Sequence, residues 1–303
     1  MTSRRLRVMT GALALWAAVL AAQPTAPEKL VQQGKRLNAA GKQSEALALY
    51  DQALKASPDL FDAHLAAGIA LDLLGRYGEA RQHLSRAIAL APSEAKVNAL
   101  DAMAVSFAFE GKAAQGAPFY QQAFDLESTD RPASAAEQAN ALGRLYLETG
   151  DTKNARRWYQ TGYETARRQK DEPGSQLDLW HFRWLHAQSR IAVREKRLGE
   201  ARARRDAARA LVTSTKSLAD QAPALAYLDG YVALYSGNPK AALAALTSAD
   251  QEDPFVLMLE ARASEKAGNA VGAQQFWRDV LTLNGHSLQN AFARPAARRA
   301  LPQ

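Results

Sequence analysis

The chain has 303 residues, 47% apolar and 23% charged, with 38 Lys and Arg against 31 Asp and Glu. These proportions exclude wholesale disorder and a polytopic membrane protein, and 18 Gly with 12 Pro exclude a collagen-like or low-complexity chain. The lack of cysteine excludes disulfides, thiolate metal sites, a cysteine nucleophile and a lipidated N-terminal Cys.

Residues 1–22 read as an export signal. Arg4, Arg5 and Arg7 form a basic start, Val8 to Ala22 is apolar apart from Thr10 and Gly11, and Val19-Leu20-Ala21 offers a cleavage site. The apolar stretch falls short of the roughly 20 residues that span a bilayer. An uncleaved N-terminal anchor is the alternative. Both place residues 23–303 outside the cytoplasm, periplasmic or secreted, with membrane contact only through the N-terminal segment. Without the leader, 35 basic residues face 31 acidic ones, too small an excess for a nucleic-acid partner. The surplus sits in residues 156–209, with 14 basic against 7 acidic.

From residue 27 to about 285 the chain repeats itself. Gly41-Lys42-Gln43-Ser44-Glu45-Ala46 overlays Gly75-Arg76-Tyr77-Gly78-Glu79-Ala80 at an offset of 34 residues. At that offset Tyr50, Ala53 and Pro58 fall on Leu84, Ala87 and Pro92, and Gly34 falls on Gly68. This pattern resembles the tetratricopeptide repeat, with its small residue in a first helix, second-helix Ala-x3-aromatic and closing Pro. Further echoes follow at Ala104, Gly111 and Tyr120; at Gly143, Gly150 and Tyr159; at Gly199 and Ala201; at Gly230, Gly237 and Ala242; and at Gly268 and Trp277.

The local chemistry agrees. Each unit has two helix-period apolar stretches separated by a Gly-polar pair, where a helix end needs positive φ. Small residues let paired helices approach, and Tyr50, Leu84, Tyr120, Tyr159 and Trp277 are expected to fill the gap to the next unit. No period-two run predicts a sheet. The expected fold is an all-α, right-handed solenoid of about seven helix pairs, residues 23–303. Residues 127–136 form a polar turn, a break near 170–176 divides the array into two sub-stacks, and a long helix spans 176–196. The tail forms a capping helix, with Pro295 at its start or kinking it.

No catalytic constellation is evident, so the chain reads as a non-enzyme with no cofactor. His181 and His186, five apart, lie on different helix faces, and His64 with His83 lack a third ligand, so no metal site is expected. Glu94, Asp101 and Glu110 read as solvated acids. Resemblance to the tetratricopeptide family implies that first helices line a concave peptide groove. Carried over, the groove residues are Asn140, Arg144, Arg183, His186, Arg190, Arg194, Tyr227, Tyr231, Tyr235 and Arg262, preceded by Lys35, Asn38, Asp62, Asp72, Asn98 and Asp101.

Arg183, His186, Arg190 and Arg194 share one helix face, and stacked like charges favour an anionic partner. Tyr227, Tyr231 and Tyr235 form an i, i+4, i+8 stripe that serves as anchors or as packing. The expected function is a non-catalytic interaction scaffold in the bacterial envelope, binding an extended acidic segment. A structural subunit of an envelope complex and an envelope polysaccharide-binding module are the alternatives.

Overall fold

The computed structural model describes residues 26–168 and 174–301. The export signal and most of the expected sub-stack break lie outside the described residues. Seven helix hairpins follow one another. They are α1 (Ala26–Ala39) with α2 (Gln43–Ala56), α3 (Phe61–Leu73) with α4 (Tyr77–Leu90), and α5 (Ser93–Phe109) with α6 (Ala113–Glu127). Next come α7 (Pro132–Thr149) with α8 (Thr152–Ala166) and α9 (Gly174–Arg194) with α10 (Leu198–Ser214). A 3-10 turn at Lys216–Gln221 leads to α11 (Ala222–Tyr235) with α12 (Pro239–Leu246), then α13 (Pro254–Lys266) with α14 (Ala270–Thr282). A last helix, α15 (Leu288–Ala300), closes the solenoid. No strand occurs among the described residues.

The turn inside each hairpin is set by one backbone position. Gly41, Gly75, Gly111, Gly150, Gly237 and Gly268 hold φ between 78° and 88° there. The fifth hairpin is the exception, since Lys196 takes that position at φ 60°. Hairpins are welded by the small-to-large pairing visible in the sequence, but the large residue serves its own hairpin first. A Cβ on Gly68 would stand 2.6 Å from Leu84 Cγ, and one on Gly143 would stand 2.9 Å from Tyr159 Cγ. These side chains fill the seam inside a unit, where the glycine makes room, and reach the next unit secondarily. In the third hairpin the small residue is on the second helix, where Gly116 lies against the backbone of Ala104.

Stacking is continuous from α8 to α9. Tyr159 and Ala155 pack with Ala187 and Ile191, and Ala166 with Ala136 and Trp180. Helix α15 packs on α13 and α14, as a cap should, with Ala293 and Ala297 joining Phe255 and Leu259. It also reaches back over the inner face to α5 and α7, where Leu288 and Ala291 join Val105, Phe109 and Leu142. Pro295 lies inside α15 rather than at its start. Arg294 donates from Nη1 to the carbonyls of Leu281 and Leu283, satisfying acceptors that the end of α14 leaves open. Ahead of α15, His286 donates from Nε2 to Asp72 of α3 at 2.9 Å.

Candidate functional site

The inner face of the solenoid holds a cavity of about 570 Å³. Its walls come from repeats far apart in sequence: Asp101 on α5, Asn140 and Arg144 on α7, Arg183, His186 and Arg190 on α9, Asp253 before α13, and Ser287 to Gln289 at the start of α15. A neighbouring space of about 480 Å³ shares Arg144, His186 and Asp253 and adds Tyr227. Six of the sequence-predicted groove residues thus converge on the larger space, Asp101, Asn140, Arg144, Arg183, His186 and Arg190, and Tyr227 joins Arg144 and His186 in the smaller one.

The arginine run on α9 is not left to repel itself. Arg183 donates from Nη1 to Glu137, and Arg194 from Nη2 to Glu148 Oε2 at 3.1 Å. Glu148 also accepts from Arg144 Nε at 2.8 Å, so one mostly buried carboxylate of α7 answers two guanidinium groups. Arg144 donates further to Tyr227 Oη at 2.8 Å and lies 3.9 Å over the Phe255 ring, so it is held on three sides. Arg190 differs. It is 5% exposed, has no carboxylate partner among the described residues, and donates only from Nη2, to Tyr159 Oη at 3.1 Å.

His186 donates from Nε2 to the carbonyl of Ala224 at 3.2 Å and stacks on Tyr227. Its burial, then the charges of Arg190 and Arg144, hold it well below the usual histidine range, so the ring is neutral. Tyr227 and Tyr231 are buried, and Tyr235 is half-buried beside Tyr231 with ring centroids 4.7 Å apart. The stripe is therefore packing between α9 and α11, with Tyr227 also bonding Arg144, and offers no exposed anchor. Arg194 stands with Glu148 outside the cavity lining, and half-buried Arg262 on α13 is likewise absent from it. Among the earlier groove candidates, three are tied to one another or to neighbouring repeats. Lys35 pairs with Asp62, and Asp72 with Ser106 and His286.

Several residues of the site were misread or unread in the sequence. Asp101, which the sequence places in the groove but also among solvated acids, lines the cavity, receives a hydrogen bond from Gln138, and has its carboxyl pushed up to about 7 by burial. Glu148 carries a local signal, since it stands four residues after Arg144 on the same helix face. Ser287 to Gln289 carried none, because their place depends on where the last helix folds. His64 and His83 do meet, Nδ1 to Nδ1 at 3.1 Å. Among the described residues no group of three or more His, Asp or Glu side chains is placed to hold a metal ion.

Helix hairpins in series around an inner cavity lined by three arginines and three carboxylates define an α-solenoid scaffold of the protein-interaction kind. Models of the tetratricopeptide repeat match residues 37–104 and 139–168, so the chain carries tetratricopeptide repeats in those two stretches. Its fold is similar to that of a tetratricopeptide repeat protein from Parabacteroides merdae ATCC 43184, at 12% identity over 92% of this chain and 98% of that one, TM-score 0.56. It is also similar to apo RapI, at 12% identity over 90% and 98%, TM-score 0.57. A third likeness is to PilW, a type IV pilus biogenesis factor, at 14% identity over 74% and 92%, TM-score 0.50. At these identities the likeness is one of fold. No curated protein matches the chain.

Proposed function

We propose that this protein is a non-catalytic scaffold exported to the bacterial cell envelope, where its concave face receives an acidic segment of a partner protein. The observation that carries the reading is the convergence of Arg144, Arg183 and Arg190 on one inner cavity of a tetratricopeptide solenoid. Guanidinium groups suit carboxylates because their planar fork matches both oxygens. The tyrosine stripe stiffens this wall. Affinity then comes from charge contacts at the cavity mouth and from apolar contact along the rest of the inner face. The basic start and apolar run of residues 1–22 support export.

The test is binding of the full chain, leader removed, to immobilised peptides of matched length and acidic, neutral or basic sequence. Acidic peptides should be retained, and retention should fall with salt, because exposed charge contacts are screened within about 10 Å at 0.1 M. Equal retention of neutral peptides overturns the reading. For the address, residues 1–22 are fused to a reporter enzyme active only after export, and an inactive fusion removes the envelope assignment.

A further inference from the structure

Arg190 presents an unmet electrostatic demand. Among the described residues, Nε and Nη1 of its buried guanidinium have no hydrogen-bond partner. The group carries five N–H donors and no acceptor, and a buried charge without partners is among the costliest arrangements in a protein. The Tyr159 ring, 5.4 Å from the guanidinium carbon, offsets only part of that cost. The nearby glutamates are spent, Glu148 on Arg144 and Arg194, Glu137 on Arg183. Asp101 and Asp253 line the same cavity, but burial pushes Asp101 up to about 7, and Asp253, which burial also raises, accepts from the Phe255 amide. Among the described residues no carboxylate makes an ion pair with Arg190; Asp253 feels its charge across the cavity without bonding it.

Facing the same cavity is the start of α15. Ser287 Oγ caps the Asn290 amide, while Leu288 and Gln289 occupy the first turn, where amides have no acceptor within the helix. The first turn also carries the positive end of the helix dipole, a recurrent seat for carboxylate or phosphate. A buried cation with two unpaired nitrogens and a helix start thus open onto one space. About 570 Å³ suits a small organic acid, a glutamate side chain or a chain terminus. The docked α15 fills the adjoining inner face, which limits how much further chain can enter.

We infer that this cavity is a subsite for a single carboxylate, gripped by Arg190 on one side and by the first turn of α15 on the other. A bound carboxylate then ties the C-terminal helix to the fifth repeat. For a carboxylate carried by a partner protein, the inference rests on the acidic-partner reading above. The same chemistry is offered by a free dicarboxylic acid, and the experiment separates the two.

The full chain without its leader is titrated calorimetrically with succinate and with a short peptide ending in Asp-Glu, beside its amidated Asn-Gln twin. Sodium chloride at equal ionic strength is the blank. Arg190→Gln should weaken carboxylate binding at least tenfold, as loss of charged hydrogen bonds implies. Gln289→Glu should do the same through repulsion, yet leave α15 intact, since an acid in a first turn is favourable. Arg262→Gln should bind as wild type. Where Arg190→Gln fails to fold, Gln289→Glu carries the test alone.

Tighter binding of the peptide than of succinate assigns a partner-borne carboxylate, and the reverse assigns a free acid. Acidic peptide held equally by wild type and variants, without a succinate response, overturns the subsite and leaves the acidic-partner reading standing. Succinate lost in the variants with no peptide bound by any protein keeps the subsite and removes that reading. No carboxylate bound by wild type at millimolar concentration overturns the subsite outright.

Discussion

His286 and Asp72 stand 214 positions apart in the chain, and their side chains meet at 2.9 Å, almost wholly buried. In a solenoid each repeat ordinarily touches only its neighbours. Here the segment leading into the last helix reaches the second repeat, Ser106 of the third repeat donates to the same carboxylate at 2.7 Å, and Phe109 stacks on the imidazole. The inner wall of the cavity depends on this clasp, because it fixes where α15 begins.

His286→Ala should therefore loosen the end of the chain. The buried Asp72 keeps Ser106 and loses its other donor, at a cost of about 2–3 kcal/mol for a hydrogen bond to a charged group. Hydrogen exchange should rise across 286–300 more than across α1 to α4. Uniform protection with unchanged stability would remove the clasp from the account.

Glycines at helix crossings should tolerate no methyl. Gly116→Ala places a Cβ 2.5 Å from the Ala104 carbonyl oxygen, a backbone atom that cannot rotate away. Overpacking of this kind costs about 1–3 kcal/mol. Gly78→Ala, exposed with nothing within 4 Å, should stabilise by about 0.5–1 kcal/mol through helix propensity. Chemical denaturation of both variants checks the opposite signs.

Lys196→Gly should stabilise the fifth hairpin by about 1 kcal/mol, because a residue with a Cβ pays that much in the left-handed region. The six other hairpins already hold glycine at this turn. A rise in denaturation midpoint without a change in slope is the expected result.

Asp101→Asn should make stability less dependent on pH. A carboxyl whose folded value of about 7 lies above its unfolded value of about 3.9 binds its proton more tightly when folded. Its contribution therefore falls as pH rises from about 4 to about 7 and is level above that. The variant should gain up to about 4 kcal/mol at pH 8 and nothing at pH 3. His83 and His186, held below the histidine range by burial, run the other way near pH 6.5, so variant and wild type are compared at each pH.

Much of this molecule is legible without a structure. Seven hairpins, their turns and their seams are set by contacts between residues close along the chain, and such contacts recur at each repeat. The 34-residue offset, Gly75 at a turn and Gly68 under Leu84 are all local facts. Even the fifth turn obeys the rule, with Lys196 forced into the glycine position by the helices on either side.

The sequence by itself determined the helix pairs, their number and the cluster of arginines on one face of α9. Tertiary structure alone decided which charges were already answered and where the chain ends. Glu148 reaches Arg194 from 46 positions away, Tyr227 reaches Arg144 from 83, and His286 reaches Asp72 from 214. Contacts at such separations follow from the curvature of the stack, which adds small rotations repeat by repeat and leaves no mark in any short window. The same curvature buries Tyr227 and Tyr231, brings the start of α15 to the cavity and leaves Arg190 buried beside Tyr159 with two nitrogens unpaired among the described residues.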